Sequence, residues 1–300
     1  MEEDKPSFTA QIDAVIRAVE TDKPESVRLC SDPFAIYFMG TTNRIIRAIP
    51  PLKKLALWYL EQKHPFMLDC IPARTRFIDE YLDKCLDDGL EQLIIMGAGY
   101  DSRAYRNERL RDRVTVFEVD LATTQKHKIE KLKQVVNPIP ANVVFVPIDF
   151  NKENLSQKLI KNGYDKSKKS LFIWEGVTPY LTAEAVDETL GFIAGSSGPG
   201  SSVLFTYIIK SVVDGTCSLE GAEQIRKAFS RGGITDFNSE RGSSLIFGIE
   251  EGTIEAFLSD RGFEYIKEVT GDYYEAEYFK GPNSKRKGCC LCRVVCAKVK

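Results

Sequence analysis

The sequence has little histidine and no long apolar run, and each of these absences excludes a class of protein. Its 300 residues include 2 His, which leaves little histidine for a metal site. No apolar stretch approaches the roughly 18 residues that cross a membrane, so we expect no membrane partner. The formal net charge is −2 without any basic block, so nucleic acid is not expected as a partner.

The remaining composition is that of an ordinary globular protein. The hydrophobic fraction is 43% and the charged fraction is 28%, both usual for a soluble chain. The first five residues, Met1 to Lys5, are acidic overall and do not resemble a signal peptide. We therefore expect a cytoplasmic protein.

Four of the 8 cysteines lie close together, at Cys289, Cys290, Cys292 and Cys296. Zinc sites usually combine two separated pairs of ligands and often use histidine. Neither His64 nor His127 is near this cluster in the sequence. A final strand in which cysteine acts as a small apolar residue explains the pattern more simply, so no metal is predicted.

The most informative segment is an apolar run that ends in two glycines. Residues Gln92 to Met96 have the character of a buried strand, and Gly97 and Gly99 follow directly. Glycines at this place let the backbone approach a ligand closely, because a Cβ would obstruct it. A second apolar run ends about twenty residues later in Asp120, where the ribose of a nucleotide presents its hydroxyls. The pattern predicts a nucleoside-cofactor site.

The missing third glycine indicates which cofactor binds. A dinucleotide turn needs that glycine to receive a pyrophosphate, but Ser102 stands there, beside the acidic Asp101. S-adenosylmethionine has no phosphate and suits an acidic turn better. Three alternatives stay open: a nicotinamide-dependent oxidoreductase, a protein that binds the cofactor without methyl transfer, and a structural or interaction module, which would leave the glycine turn and Asp120 unexplained.

The order of elements predicts an α/β fold. Residues 1–88 show helical periodicity and form a helical N-terminal cap, and residues 89–300 form the cofactor-binding domain. Strands alternating with helices predict a seven-stranded, mostly parallel, doubly wound sheet. The predicted strands are 92–96, 114–119, 143–148, 170–175, 201–208, 263–269 and 290–299. No convincing helix separates the last two, which predicts an antiparallel final pair.

A glycine-rich insertion at about 209–245 precedes the sixth strand. A long segment between two strands of a sheet is uncommon unless it has a function of its own. If the fifth strand runs parallel to its neighbours, this insertion projects from the ligand-bearing edge. It is predicted to act as a lid.

Four blocks in order resemble the leucine carboxyl methyltransferase family, including its bacterial and archaeal O-methyltransferase-like members. The blocks are Ala73 to Asp79, Gly97 to Arg103, Phe117 to Asp120, and Trp174 to Leu181. The resemblance covers nearly the whole chain. It implies a Rossmann-like methyltransferase fold, S-adenosylmethionine as the cofactor, and O-methyl transfer.

The resemblance also implies roles for individual residues. Arg74 corresponds to the arginine that binds the cofactor carboxylate, which suits a guanidinium with paired donors. Gly97 and Gly99 form the turn, and Asp120 corresponds to the ribose-binding acid. Asp149 and Phe150 correspond to the positions beside the adenine. Glu175 corresponds to a residue near the methionine moiety and the reacting methyl group, and Tyr180 is expected to line the acceptor pocket.

One departure bears on the methyl acceptor. The phosphatase-methylating members of the family carry an N-terminal lysine that holds the cofactor carboxylate, and the comparable segment here has only Arg28. The insertion shows no match to their peptide-binding segment. A small-molecule acceptor is therefore expected. A carboxylate is favoured over a hydroxyl, because it is already ionised at neutral pH and needs no general base.

Overall fold

The structure is a computed structural model that describes residues 8–63, 66–150, 152–230 and 245–300. In these residues, five helices precede the first strand: α1 (Phe8–Thr21), α2 (Ala35–Phe38), α3 (Thr41–Ala48), α4 (Pro50–Lys63) and α5 (Met67–Asp87). The predicted helical character of the N-terminal region is confirmed for its described part. A domain boundary at residue 88 stays a prediction.

Two proline sites divide these helices. Asp32 precedes Pro33, and its carboxylate accepts hydrogen bonds from the N–H groups of Phe34 and Ala35, both at 3.1 Å, which fixes the turn before α2. The helix α4 begins at Pro50, where proline is tolerated because first-turn N–H groups lack an intrahelical acceptor.

After α5, the described chain forms a seven-stranded sheet. Its strands are β1 (Gln92–Met96), β2 (Thr115–Asp120), β3 (Val143–Pro147), β4 (Ser170–Trp174), β5 (Ser202–Ile208), β6 (Phe263–Val269) and β7 (Cys292–Val299). The spatial order is β3-β2-β1-β4-β5-β7-β6. The first five strands are parallel, and β7 is antiparallel to both β5 and β6. The predicted fold class is confirmed.

Helices alternate with the strands: α6 (Arg103–Arg106), α7 (Ala122–Leu132), α8 (Leu155–Lys161), α9 (Ala183–Gly195), α10 (Lys210–Val213), α11 (Ala222–Ser230), α12 (Ile254–Ser259) and α13 (Gly271–Glu277). The absence of a helix between the last two strands was a wrong prediction, because α13 lies there. This helix is too short to show a clear apolar period. Its buried aromatic side chains are Tyr274 and, directly after the helix, Tyr278. In the described chain, no helix combines the length and apolar character that crossing a membrane requires.

Helices cover both faces of the sheet. Leu93 and Ile95 of β1 pack into the apolar cluster that includes the buried side of α5, whereas Ile94 and Met96 pack into the cluster that includes α9. All five residues of β1 are therefore buried. A strand buried on both faces reads as a continuous apolar run, which is why β1 could be recognised in the sequence.

The insertion leaves the carboxyl end of β5, as predicted. Its described part contains α10 and α11, and residues 231–244 lie outside the described residues. An isolated parallel bridge joins Ile209 to Ile249, so the two ends of the insertion meet beside β5. Its role as a lid stays a prediction.

Candidate functional site

The site lies where the order of the strands reverses. The strand β1 is flanked by β2 on one side and β4 on the other, so the chain leaves β1 and β4 towards opposite halves of the sheet. Ligands of open α/β sheets bind outside the carboxyl ends of strands at such a point. The segments that follow β1, β2 and β4 converge there.

A tight turn follows β1 and contains both predicted glycines. Gly97 and Gly99 have φ angles of +68° and +40°, which favour glycine. A Cβ at Gly97 would also lie 2.2 Å from Cγ2 of Val177. The N–H groups of Gly97 and Ala98 donate to the Val119 carbonyl at 2.8 and 3.0 Å. The turn is therefore fixed against the end of β2.

Asp120 ends β2, and backbone donors orient its side chain. The N–H of Gly99 donates to Oδ2 at 2.5 Å, and the N–H of Leu121 donates to Oδ1 at 2.6 Å. Burial raises the pKa of Asp120, and the two donors act in the opposite direction. The carboxylate is held in one orientation beside the glycine turn.

Arg74 and Glu175 are in direct contact although they are far apart in the sequence. Nε of Arg74 donates to Oε1 of Glu175 at 2.6 Å, and Nη2 donates to Oδ2 of Asp13 on α1 at 2.9 Å. Burial opposes the charge of Arg74, but the two carboxylates outweigh burial and raise its pKa. Arg74 is therefore charged and paired with two carboxylates of the chain itself.

Arg103 holds the second oxygen of Glu175. Its side chain is buried; Nη1 donates to Oε2 of Glu175 at 3.1 Å and also pairs with Asp101, and Nε donates to Oδ1 of Asp79 at 2.7 Å. Burial opposes the ionisation of Glu175, but Arg74 and Arg103 outweigh burial and lower its pKa. Glu175 is thus ionised at neutral pH with both oxygens engaged. We call these residues the arginine–carboxylate network: Arg74, Arg103, Glu175, Asp13, Asp79 and Asp101.

The sequence did not predict the roles of Asp13 and Arg103. Asp13 stands inside the apolar periodicity of α1, next to Ile12, and burial raises its pKa although Arg74 acts against this. Arg103 directly follows the turn after a buried strand. Asp13 lies between the apolar positions Ile12 and Val15 with its side chain 27% exposed, and Arg103 lies in a polar segment, so the sequence carried no signal for either ion pair.

Asp149 and Phe150 follow β3 at the same edge as Asp120. The N–H of Ile148 donates to the Asp120 carbonyl at 2.8 Å, which places the two strand ends side by side. Oδ2 of Asp149 lies 3.0 Å from Nζ of Lys152. Phe150 is partly buried against the apolar cluster on the α9 face. Both residues therefore follow the strand end that lies beside Asp120.

Tyr180 ends a short 3-10 helix, Thr178–Tyr180, that follows Glu175. Its hydroxyl is hydrogen-bonded to the side chain of Thr9, and burial, with a smaller effect of Asp13, raises its pKa. Tyr180 therefore lies beside the arginine–carboxylate network and is protonated at neutral pH.

The cysteine cluster lies at the start of β7. This strand begins at Cys292 rather than at the predicted residue 290, and Cys296 within it is fully buried. Cys289 and Cys290 therefore precede the strand. Within the described ranges, no group of three or more His, Cys, Asp or Glu side chains is arranged to hold a metal ion.

Comparison with known sequences relates the chain to methyltransferases. The profile of the family described as leucine carboxyl methyltransferase matches residues 10–194. A protein of Mycobacterium sp. strain KMS, named "Putative S-adenosyl-L-methionine-dependent methyltransferase", is 30% identical over 85% of this chain and 83% of its own length. A Bacillus subtilis protein with the same description is 36% identical, but the match spans 45% of this chain and 44% of that protein.

Comparison with solved structures supports the fold. The crystal structure of a protein from Thermobifida fusca, titled as a putative methyltransferase, aligns over 100% of this chain and 97% of its own, with a TM-score of 0.57 and 15% identity. A DUF574 family protein from Streptomyces avermitilis aligns over 94% and 100%, with a TM-score of 0.54 and 10% identity. At such low identity the likeness concerns the fold alone.

Proposed function

Because the chain belongs to the leucine carboxyl methyltransferase family, we propose that it transfers a methyl group from S-adenosylmethionine to an oxygen of a small molecule, a carboxylate in preference to a hydroxyl. Family membership confirms the predicted enzyme class and cofactor. The acceptor and the roles of the individual residues are the proposal.

The contact between Arg74 and Glu175 supports this proposal most strongly. The amino-acid end of S-adenosylmethionine carries a carboxylate and an ammonium group. A guanidinium suits the carboxylate because its donors are paired, and a fixed carboxylate suits the ammonium. Both groups stand together at 2.6 Å, at the strand edge where ligands bind. The charges present therefore fit the methionine end of the cofactor.

The nucleoside end fits the neighbouring residues. Asp120 is oriented by the turn and would accept hydrogen bonds from the ribose hydroxyls. Gly97 and Gly99 form the turn beside it, where an added Cβ would meet Val177 and Ala10. Asp149 and Phe150 would flank the adenine, with the ring packing on the purine and the carboxylate accepting from its amino group.

Asp13 competes with the cofactor for Arg74 in this proposal. Its carboxylate accepts from Nη2 of Arg74 at 2.9 Å, which is the kind of contact that the cofactor carboxylate would make. Burial raises the pKa of Asp13, which means that burial disfavours its ionised form. Binding is expected to move Asp13 away from Nη2 or to leave it protonated.

The residues beside the network favour a carboxylate acceptor. The cofactor, when bound, supplies an activated methyl group on its sulfonium. The chain then has to align the acceptor and exclude water. Glu175 is a weak base because its pKa is lowered. Tyr180 remains protonated because its pKa is raised, and Nδ1 of His127 is bonded to the Tyr100 hydroxyl at 2.7 Å. An acceptor that is already ionised needs none of them as a base.

The proposal is tested by turnover with matched acceptors. The purified chain is incubated with S-adenosylmethionine bearing a labelled methyl group and with pairs of small carboxylic acids and corresponding alcohols. We expect labelled products that release methanol in alkali, as methyl esters do. Alkali-stable methyl ethers would overturn the carboxylate preference, and binding of S-adenosylmethionine without turnover on any acceptor would contradict the proposed activity.

A further inference from the structure

Two cysteines outside the arginine–carboxylate network are in contact. Cys70 lies in the first turn of α5, and Cys289 lies shortly before β7. Their thiols share a side-chain hydrogen bond. The sulfur of Cys70 is also 3.8 Å from the carbonyl oxygen of Lys287. The two side chains therefore meet between the start of a helix and the start of a strand.

Contacts that do not involve sulfur hold this arrangement. The N–H of Lys287 donates to Oδ2 of Asp69, the neighbour of Cys70, at 3.1 Å. The N–H of Gly288 donates to Oε1 of Glu275 on α13 at 2.9 Å. The segment before β7 is thus tied to α5 and to α13 on either side. The backbone keeps the two thiols together without a covalent bond.

The two thiols differ in acidity. The hydrogen bond from Cys70, with smaller help from the N–H groups of Leu291 and Cys292, lowers the pKa of Cys289 to about 7 although burial opposes this. The same hydrogen bond, followed by burial, raises the pKa of Cys70. At neutral pH, about half of Cys289 is therefore thiolate, which is the nucleophilic form of cysteine. Cys70 keeps its proton.

We propose that Cys70 and Cys289 form a redox-sensitive dithiol that reacts with hydroperoxides and closes into a disulfide. The Cys289 thiolate attacks an oxygen of hydrogen peroxide; the O–O bond breaks, one proton is taken up, and a sulfenic acid and water form. The Cys70 sulfur then attacks the Cys289 sulfur, so that the S–S bond forms and the S–O bond breaks. The Cys70 proton leaves with that oxygen as water. The two sulfurs lose two electrons in total, and the peroxide is reduced to two molecules of water.

The neighbouring cysteines serve as internal controls. Burial raises the pKa of Cys290, and burial, followed by the charge of Cys289, raises the pKa of Cys292 to about 12. Both therefore stay protonated at neutral pH and react slowly with peroxide. The dithiol lies one helical turn before Arg74 on α5, but its chemistry does not depend on the proposed methyl transfer.

The test is to treat the reduced full chain with hydrogen peroxide and to map its peptides without reduction. We expect a Cys70–Cys289 linked peptide that dithiothreitol removes. Cys70→Ser should instead carry a dimedone adduct, the mark of sulfenic acid, on Cys289. Cys289→Ser should show neither product, and Cys290→Ser should form the link at the wild-type rate. A link from Cys289 to Cys290 or Cys292, or an adduct on Cys70 in Cys289→Ser, would overturn the assignment.

A second measurement uses the wild-type chain alone, in case a serine variant does not fold. Alkylation by iodoacetamide at neutral pH is followed for each cysteine by mass spectrometry. About half of Cys289 but only about 1% or less of Cys290 is thiolate at pH 7. Cys289 is therefore expected to react at least about tenfold faster than Cys290, although it is the more buried of the two. Equal rates, or a faster Cys290, would contradict the proposal.

Discussion

The two sides of the carboxyl edge of the sheet are built from different chemistry. Beside β1, β2 and β4, charged groups are fixed by ion pairs, with Arg74 and Arg103 on opposite oxygens of Glu175. Beside β5 and β7, buried apolar side chains such as Ala222 and Leu291 predominate, and a single buried arginine, Arg293, pairs with Glu251 and Glu268 among the described residues. Fixed ion pairs suit the carboxylate and ammonium of the cofactor, which are the same before and after methyl transfer, whereas a largely apolar side places little constraint on an acceptor. The glycine turn and Asp120 on the first side could therefore be recognised as sequence motifs. The acceptor side, beside β5 and β7, offered no such motif.

The largest expected effect is a loss of folding stability when the buried network loses an arginine, compared with the loss of an arginine from an exposed ion pair. Arg103 is 3% exposed and holds three carboxylates. Arg103→Met leaves Asp101 without its ion pair, whereas Glu175 keeps Arg74 and Asp79 keeps Arg106. Removing this buried cation should lower the free energy of unfolding by about 3–5 kcal/mol. Arg109, whose side chain is 47% exposed, pairs with Asp83 and Asp87, so Arg109→Met should change stability little. Urea denaturation measures both, and similar losses would contradict the distinction.

The next effect depends on pH. Burial opposes the ionisation of Asp101, but Arg103 outweighs burial and lowers its pKa from 3.8 to about 2. A lowered pKa stabilises the folded chain above the unfolded value, and this contribution is lost as pH falls through the folded value. Asp101→Asn should therefore lower the free energy of unfolding by about 2 kcal/mol at neutral pH.

Denaturation of the wild type and Asp101→Asn over a pH series measures this difference. It should remain nearly constant down to about pH 4 and shrink as the pH falls towards 2. A difference that does not vary across this window would show that the ion pair with Arg103 is not its source.

A smaller effect distinguishes two arginines on the same helix. Arg74→Lys should weaken binding of S-adenosylmethionine by about 1–2 kcal/mol, because an ammonium cannot reproduce paired contacts to a carboxylate. Arg76 forms a half-exposed pair with Glu80 instead, so Arg76→Lys should bind the cofactor normally. Isothermal titration measures both variants. The opposite result would mean that Arg76 is the cofactor arginine.

The smallest expected effect is a gain in cofactor affinity rather than a loss. Asp13→Asn removes a carboxylate that competes for Nη2 of Arg74, so binding of S-adenosylmethionine should strengthen by about 1 kcal/mol. Asp83→Asn, at an exposed position outside the network, serves as the control and should leave affinity unchanged. Weaker binding by Asp13→Asn would show that Asp13 positions Arg74 for the cofactor rather than competing with it.

The parts that the sequence predicted are those that depend on neighbours along the chain. The strand before Gly97 and the acid at Asp120 follow from local apolar runs and turn residues, and all seven strands were placed within about two residues of their observed ends. The role of Arg103 depends on Asp79 and Glu175, which other elements bring to it, so spacing alone could not reveal it. The helix α13 was missed because two turns of helix carry too little periodicity.

The most direct test of the cofactor site is an experimental structure of the full chain with S-adenosylhomocysteine, the demethylated cofactor. We expect the ligand carboxylate on Arg74, the amino group on Glu175, the ribose hydroxyls on Asp120, and the adenine beside Asp149 and Phe150. Arg74 would then have lost its contact with Asp13. A ligand bound elsewhere, with the pairs of Arg74 to both Glu175 and Asp13 unchanged, would contradict the assignment of this edge as the cofactor site.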